Sequence, residues 1–147
     1  MMISTKGRYA LRIMIDLALN ANEHPIPLKE VCERQGITIK YMEQIIPMLT
    51  KAGYLKSFRG SNGGYQLTRL PSEYTLGDIL RTTEGNMAPV ACLETEKNTC
   101  ARKDTCVTLP VWEGLRNVIN EYIDSVTLDD FLQEGKFSPT CELEYHI

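Results

Sequence analysis

The chain has 147 residues, 43% of them apolar, which suits one modest domain whose core a second copy would usefully extend. No apolar run is long enough to cross a bilayer, and charges interrupt MMISTKGRYALRIMIDLALN, which argues against a secretory leader and for a soluble cytoplasmic protein. The net charge of −3 divides into a basic stretch over residues 1–70 (ten Lys or Arg, five Asp or Glu) and an acidic remainder (six against fourteen), the pattern of a polyanion-binding part beside a part with another task.

Residues 5–21 place Tyr9, Ala10, Ile13, Met14, Leu17 and Ala18 on one helical face, with Thr5 as the cap. Pro25 and Pro27 break the chain before a short helix, LKEVCERQ (28–35), which Gly36 stops. Thr38 caps a third helix beginning IKYMEQII, and Pro47 sits after it, where it demands a kink or the first turn of a new helix. YLKSF (54–58) and YQLTR (65–69) alternate side-chain types around RGSNGG and predict a β-hairpin. TLGDILRTTEG (75–85) predicts a helix with a Thr cap and a Gly stop. CLETEKNTCARKDTC (92–106) is polar, holds three of the five cysteines and predicts a loop. LPVWEGLRNVINEYIDSV (109–126) predicts a long helix opened by Pro110, with Trp112, Leu115, Ile119, Tyr122, Ile123 and Val126 as its apolar stripe. LDDFLQ adds a final turn or two, and the last dozen residues are expected to be loosely structured.

Helix, short helix, Gly-containing turn, helix and Gly-tipped hairpin is the order of a winged helix-turn-helix. The fold class is therefore mainly α with a small β-hairpin wing, followed by a long C-terminal helix. The turn QGIT sets the second and third helices at a steep angle, and the third presents TIKYMEQ (38–44) to a major groove. There Lys40 can meet guanine or phosphate, and Gln44 can pair with adenine. Lys56 lies on the hairpin, and Arg59 at its tip suits a narrow minor groove. No hydrolase-like triad, phosphate-cradling loop or acid pair is present, so neither an enzyme nor a small-molecule substrate is expected.

Cys92, Cys100 and Cys106 are spaced C-x7-C-x5-C. Thiolates bind zinc and iron–sulfur clusters alike. Zinc sites in short segments usually carry C-x2-C pairs, so the wider spacing favours a cluster. A ligand-free thiol sensor, and a small redox or electron-transfer protein, stay open.

TKGRYALR, LKEVCERQGITIKYMEQI and RGSNGGYQL, together with three cysteines ahead of the long helix, resemble the bacterial iron–sulfur cluster regulator family of IscR and NsrR type, from residue 1 to about residue 132. The resemblance implies a homodimeric transcription factor, a repressor by preference, that binds double-stranded promoter DNA and dimerises through its long helix. It places DNA contacts at Lys40, Tyr41, Glu43 and Gln44, with Thr38 at the start of the same helix, and at Arg59 and Gly60 in the wing. It also implies an iron–sulfur cluster on Cys92, Cys100 and Cys106, [2Fe–2S] in preference to [4Fe–4S], and control of cluster-biogenesis genes. The alternative is a regulator of the same family that senses nitric oxide or governs cysteine metabolism.

Many relatives have a His three residues after the third cysteine, where this chain has Leu109. The candidates for a fourth ligand are then His24, His146, Cys32, Cys141, Asp104 and Glu43. Cys32, among residues expected to pack, reads as a buried, inert thiol. Glu43 is preferred. A carboxylate bound to iron is withheld from DNA and released with the cluster, which couples occupancy to sequence choice. The expected organisation is a winged-helix domain over 1–85, a cluster-binding loop over 86–108, a dimerisation helix with its following turn over 109–133, and a tail over 134–147.

Overall fold

The computed structural model describes residues 1–134, 136 and 137; most of the expected tail, Cys141 and His146 included, lies outside the described residues. Helix α1 spans Thr5–Leu19, and Ser4 rather than Thr5 caps it, its hydroxyl accepting from the Gly7 amide at 3.3 Å. The helix stops two residues before the expected end, because the Asn20 amide and side chain both bond the Asp16 carbonyl. Ala10, Ile13, Met14, Leu17 and Ala18 are buried, as their spacing requires.

Helix α2 (Leu28–Gln35) ends at Gly36, whose φ of 64° is the left-handed conformation that closes a helix at least cost in glycine. Helix α3 (Ile39–Lys51) begins with the Thr38 hydroxyl accepting from the Tyr41 amide at 3.3 Å. It runs through Pro47 as one element instead of restarting there. Met42, Ile45, Ile46 and Leu49 bury one face on both sides of the proline, and Glu43, whose carbonyl loses its helical partner, is exposed.

Strands β1 (Leu55–Phe58) and β2 (Gly64–Leu67) pair antiparallel, from Leu55 opposite Leu67 to Phe58 opposite Gly64. Ile26, between α1 and α2, adds a bridge to Tyr65 through bonds of 3.0 and 2.9 Å. That close approach excludes a side chain at Gly64, where a Cβ would run into the Ile26 carbonyl. A short 3₁₀ turn, Pro71–Glu73, leads to the fully buried Tyr74. Its hydroxyl accepts from the Thr68 and Arg69 amides at 3.0 and 2.9 Å and donates to the Tyr54 carbonyl at 3.0 Å. The base of the wing is thereby tied to the core.

Helix α4 (Leu76–Glu84) opens with a reciprocal cap between Thr75 and Asp78. A second 3₁₀ turn, Ala91–Leu93, interrupts the loop before α5 (Leu109–Ser125), and α6 (Leu128–Leu132) follows. The chain does not end its business with the core at α4. Leu128 is 1% exposed in the same apolar cluster as Ala10, Ile13, Met42 and Ile79, and burying such a side chain contributes about 1.5–3 kcal/mol. Helix α1 sits in the middle, packing on α2, α3, β2, α4 and α6.

The expected stripe of α5 divides in two. Ile119, Ile123 and Val126 turn inward, the first two packing on Leu80 and Met87, and Trp112 is half-buried, whereas Leu115 and Tyr122 remain exposed together with Val111 and Val118, which lie outside the expected stripe. No helix among the described residues is long and apolar enough to cross a membrane.

Candidate nucleic-acid interface and cysteine loop

Helix α3 buries one face, and the opposite face carries Thr38, Lys40, Glu43 and Gln44, all exposed, beside Ile39 at 50%. Tyr41 differs from its neighbours. It is half-buried, and its ring meets that of Tyr9 edge-on, with centroids 5.3 Å apart and an interplanar angle of 79°. The Arg12 guanidinium lies 5.1 Å over the same Tyr9 ring. Tyr41 thus fastens the exposed face of α3 to α1.

A polar network behind these rings fixes α2 to α1. Asp16 is 2% exposed, and its carboxylate accepts from Arg34 Nη2 at 2.8 Å, from Arg34 Nε at 3.1 Å and from Gln35 Nε2 at 2.8 Å. Arg12 in turn donates to the Gln35 side chain at 3.1 Å and to the Gln35 carbonyl. Sequence reasoning missed this group. A signal was available, since Asp16 is a lone charge among Ile13, Met14 and Leu17 on the buried side of α1.

Arg59 and Gly60 stand exposed at the wing tip. Gly60 has a φ of 104°, a conformation that a side chain would strain. Lys56, on β1, lies 5.1 Å over the Phe58 ring. The exposed polar and basic side chains of these two elements are Thr38, Lys40 and Gln44 on α3 and Lys56 and Arg59 on the hairpin.

In the loop ahead of α5, Cys92 and Cys106 are half-buried, Cys100 is exposed, and none of them is in a disulfide. The Cys100 amide donates to Asn98 Oδ1 at 2.9 Å and its carbonyl accepts from Lys103 at 3.2 Å, so this part of the loop is a run of turns. Cys106 Sγ lies 3.4 Å from the Thr108 hydroxyl. That hydroxyl, then the Thr108 and Leu109 amides at the start of α5, and then Arg102 hold the Cys106 thiol below the ordinary thiol range. Burial pushes the Cys32 thiol up, with Glu33 adding to the effect, as an inert core cysteine requires.

Among the described residues no three His, Cys, Asp or Glu side chains gather as a metal-holding group. Cys92, Cys100, Cys106 and Glu43 are thus not brought together in this conformation. Glu43 lies on α3; Asp104 and His24 are exposed elsewhere.

Residues 3–134 match the Rrf2 family, described as iron-dependent transcriptional regulators. The chain belongs to the Rrf2 family. Protein rrf2 of Nitratidesulfovibrio vulgaris is 34% identical to it over 99% of this chain and 98% of its own. Among solved structures, CymR, the global cysteine regulator of B. subtilis, superposes with a TM-score of 0.72 at 40% identity, over 89% of this chain and 95% of that one. IscR of T. potens gives the same TM-score at 42% identity, over 90% and 86%. This Rrf2 protein is accordingly a transcriptional regulator with a winged-helix DNA-binding fold. The relatives' names divide between IscR and a cysteine regulator, so the family alone does not choose the signal of this Rrf2 chain.

Proposed function

We propose that the chain acts as a homodimer on double-stranded promoter DNA, as a repressor whose grip depends on an iron–sulfur cluster at Cys92, Cys100 and Cys106. The observation that carries the reading is the joining, in one small fold, of an exposed polar face on α3 and a basic wing tip with three unpaired thiols just ahead of α5. Thr38, Lys40, Glu43 and Gln44 enter a major groove, and Arg59 with Gly60 follows the adjacent minor groove. Tyr41 acts mainly by holding α3 against Tyr9.

Two copies meet through Val111, Leu115, Val118 and Tyr122. Their steps of four, three and four residues are the spacing of a helix–helix seam. The donor set suits an iron–sulfur core: three thiols, outside disulfides and outside the main apolar core, one of them biased toward thiolate. When bound, such a cluster supplies a redox- and oxidant-sensitive centre. The resemblance favours [2Fe–2S] and the control of cluster-biogenesis genes. Glu43 is the proposed fourth ligand. Since it stands in no group of ligand-type side chains here, that role needs movement of the loop or the Glu43 of a second copy.

A second reading has its own support. The ungathered cysteines, the lowered Cys106 thiol and the likeness to a cysteine regulator favour sensing by thiol chemistry without a cluster. One experiment separates the two. Protein purified without oxygen is assayed for iron, sulfide and visible absorption, and its affinity for in-vitro-selected duplexes is measured before and after cluster removal across a salt series. The cluster reading expects coloured, iron-bearing protein, a steep salt slope, and affinity that changes on cluster loss. Colourless protein that shows unchanged affinity after reconstitution refutes it.

A further inference from the structure

Helix α5 is held to the rest of the described chain mainly through its C-terminal half. Its packing partners are Leu80 on α4 and Met87 just beyond that helix, which meet Ile119 and Ile123, while Val111, Leu115 and Val118 extend without cover. Two polar attachments fix that half. Close to the helix end, the Leu76 amide donates to the Val126 carbonyl at 2.8 Å and the Leu128 amide to the Tyr74 carbonyl at 3.0 Å, forming the Thr75–Thr127 bridge. The second attachment is a fork. Arg81 Nη1 donates to Asp124 Oδ1 at 2.7 Å, and Arg81 Nη2 donates to Asp124 Oδ2 at 2.9 Å and to Asn120 Oδ1 at 3.0 Å.

Asn120 and Asp124 are one helical turn apart, so the guanidinium grips α5 along its axis. The fork also has room reserved for it. Gly77, one turn before Arg81 on α4, has no side chain, and a Cβ there would run into the Asp124 carboxylate and the Arg81 guanidinium. A pair this exposed, with side chains 36% and 47% accessible, adds little to stability. Its directionality is another matter. A small apolar contact tolerates rolling and tilting of one helix on the other, whereas a planar bidentate fork does not.

We propose that the Arg81–Asp124–Asn120 fork is a positioning joint that sets the angle between the DNA-reading head and α5, and so the half-site spacing that two paired heads accept. The inference rests on the reading of α5 as the seam between two copies. A tilt of about 8° over a helix about 25 Å long moves its far end by about 3.5 Å, the rise of one base pair. Small play at this joint therefore becomes a whole step along DNA.

The test uses the full chain and duplexes selected by the wild-type protein from a randomised library, then rebuilt with half-sites one base pair closer and one base pair further apart. Wild type is expected to prefer the selected spacing at least 10-fold. Arg81→Met is expected to narrow that preference to under 3-fold while the protein stays dimeric by sedimentation. Asn120→Ala, which removes one of the three bonds, is expected to give an intermediate ratio and keeps the test decisive if Arg81→Met does not fold. Equal loss of affinity at every spacing, with the preference intact, marks a merely structural pair and overturns the proposal. A wild-type chain that is monomeric, or selects single half-sites, overturns the dimer reading and the proposal together. A dimer whose Arg81 and Asn120 variants keep the full spacing preference overturns the proposal alone.

Discussion

Removing Arg34 isolates how the DNA-reading head is held together. Asp16 is 2% exposed, and in Arg34→Met its carboxylate keeps only Gln35 Nε2, at 2.8 Å, as a side-chain donor. Breaking a buried pair by deleting one partner costs about 3–5 kcal/mol, because the other charge is left buried. The Arg34 side chain is 35% exposed, so water reaches part of the vacated space, and the low end applies, about 3 kcal/mol. For a chain of this size that lowers the thermal midpoint by about 10 °C. The double variant Asp16→Leu/Arg34→Met removes both charges and fills the volume with apolar groups, and it should recover to within about 1 kcal/mol of wild type. Chemical and thermal unfolding followed by circular dichroism, at fixed protein concentration, measures all four corners of the cycle. A single variant within about 0.5 kcal/mol of wild type, the scatter of an ordinary surface change, refutes the reasoning. So does a double variant as unstable as the single one.

Tyr74→Phe removes a buried hydroxyl that satisfies the Thr68 and Arg69 amides, and it should cost about 2 kcal/mol in the same unfolding assay, with the wing loosened first by hydrogen exchange. Cys106 should be alkylated by iodoacetamide with a pH midpoint below that of an ordinary exposed thiol. Its lowered proton affinity keeps thiolate present as pH falls, and Thr108→Val should move the midpoint up; equal midpoints in the two proteins would contradict the assigned cause.

Much of the fold was legible because its signals are local. The 3.6-residue spacing of α1 and α5, the Thr caps of α3 and α4, the stop at Gly36 and the alternation around RGSNGG all act within a few residues, and the structure places elements there. What escaped was settled by contacts between distant segments. Ser4 rather than Thr5 caps α1 partly because the Glu84 carboxylate, eighty residues away, receives its hydroxyl at 2.5 Å and its amide at 3.1 Å. Pro47 stays inside α3 because the core grips both sides of it, a tertiary effect that local rules do not carry. The stripe of α5 looked single because spacing shows which residues are apolar and not which neighbour each one meets. In the candidate site, residue type and register put Lys40, Gln44 and Arg59 on exposed ground, whereas the place of Tyr41 against Tyr9 depends on how α1 crosses α3.

The return of α6 to the core has a practical side. After α4 the polypeptide departs through the cysteine loop and α5, then comes back to seat Leu128 beside Ile13 and Met42. A protein engineer who cut after Glu84 to graft the winged portion onto a foreign sensor would leave an apolar vacancy against α1. The transplant has to include residues 128–132, supplied in trans or through a tether that replaces the excursion. Insertions, by contrast, belong among Glu94, Thr95, Glu96 and Lys97, which are exposed and lie clear of the buried Met87 and Leu93.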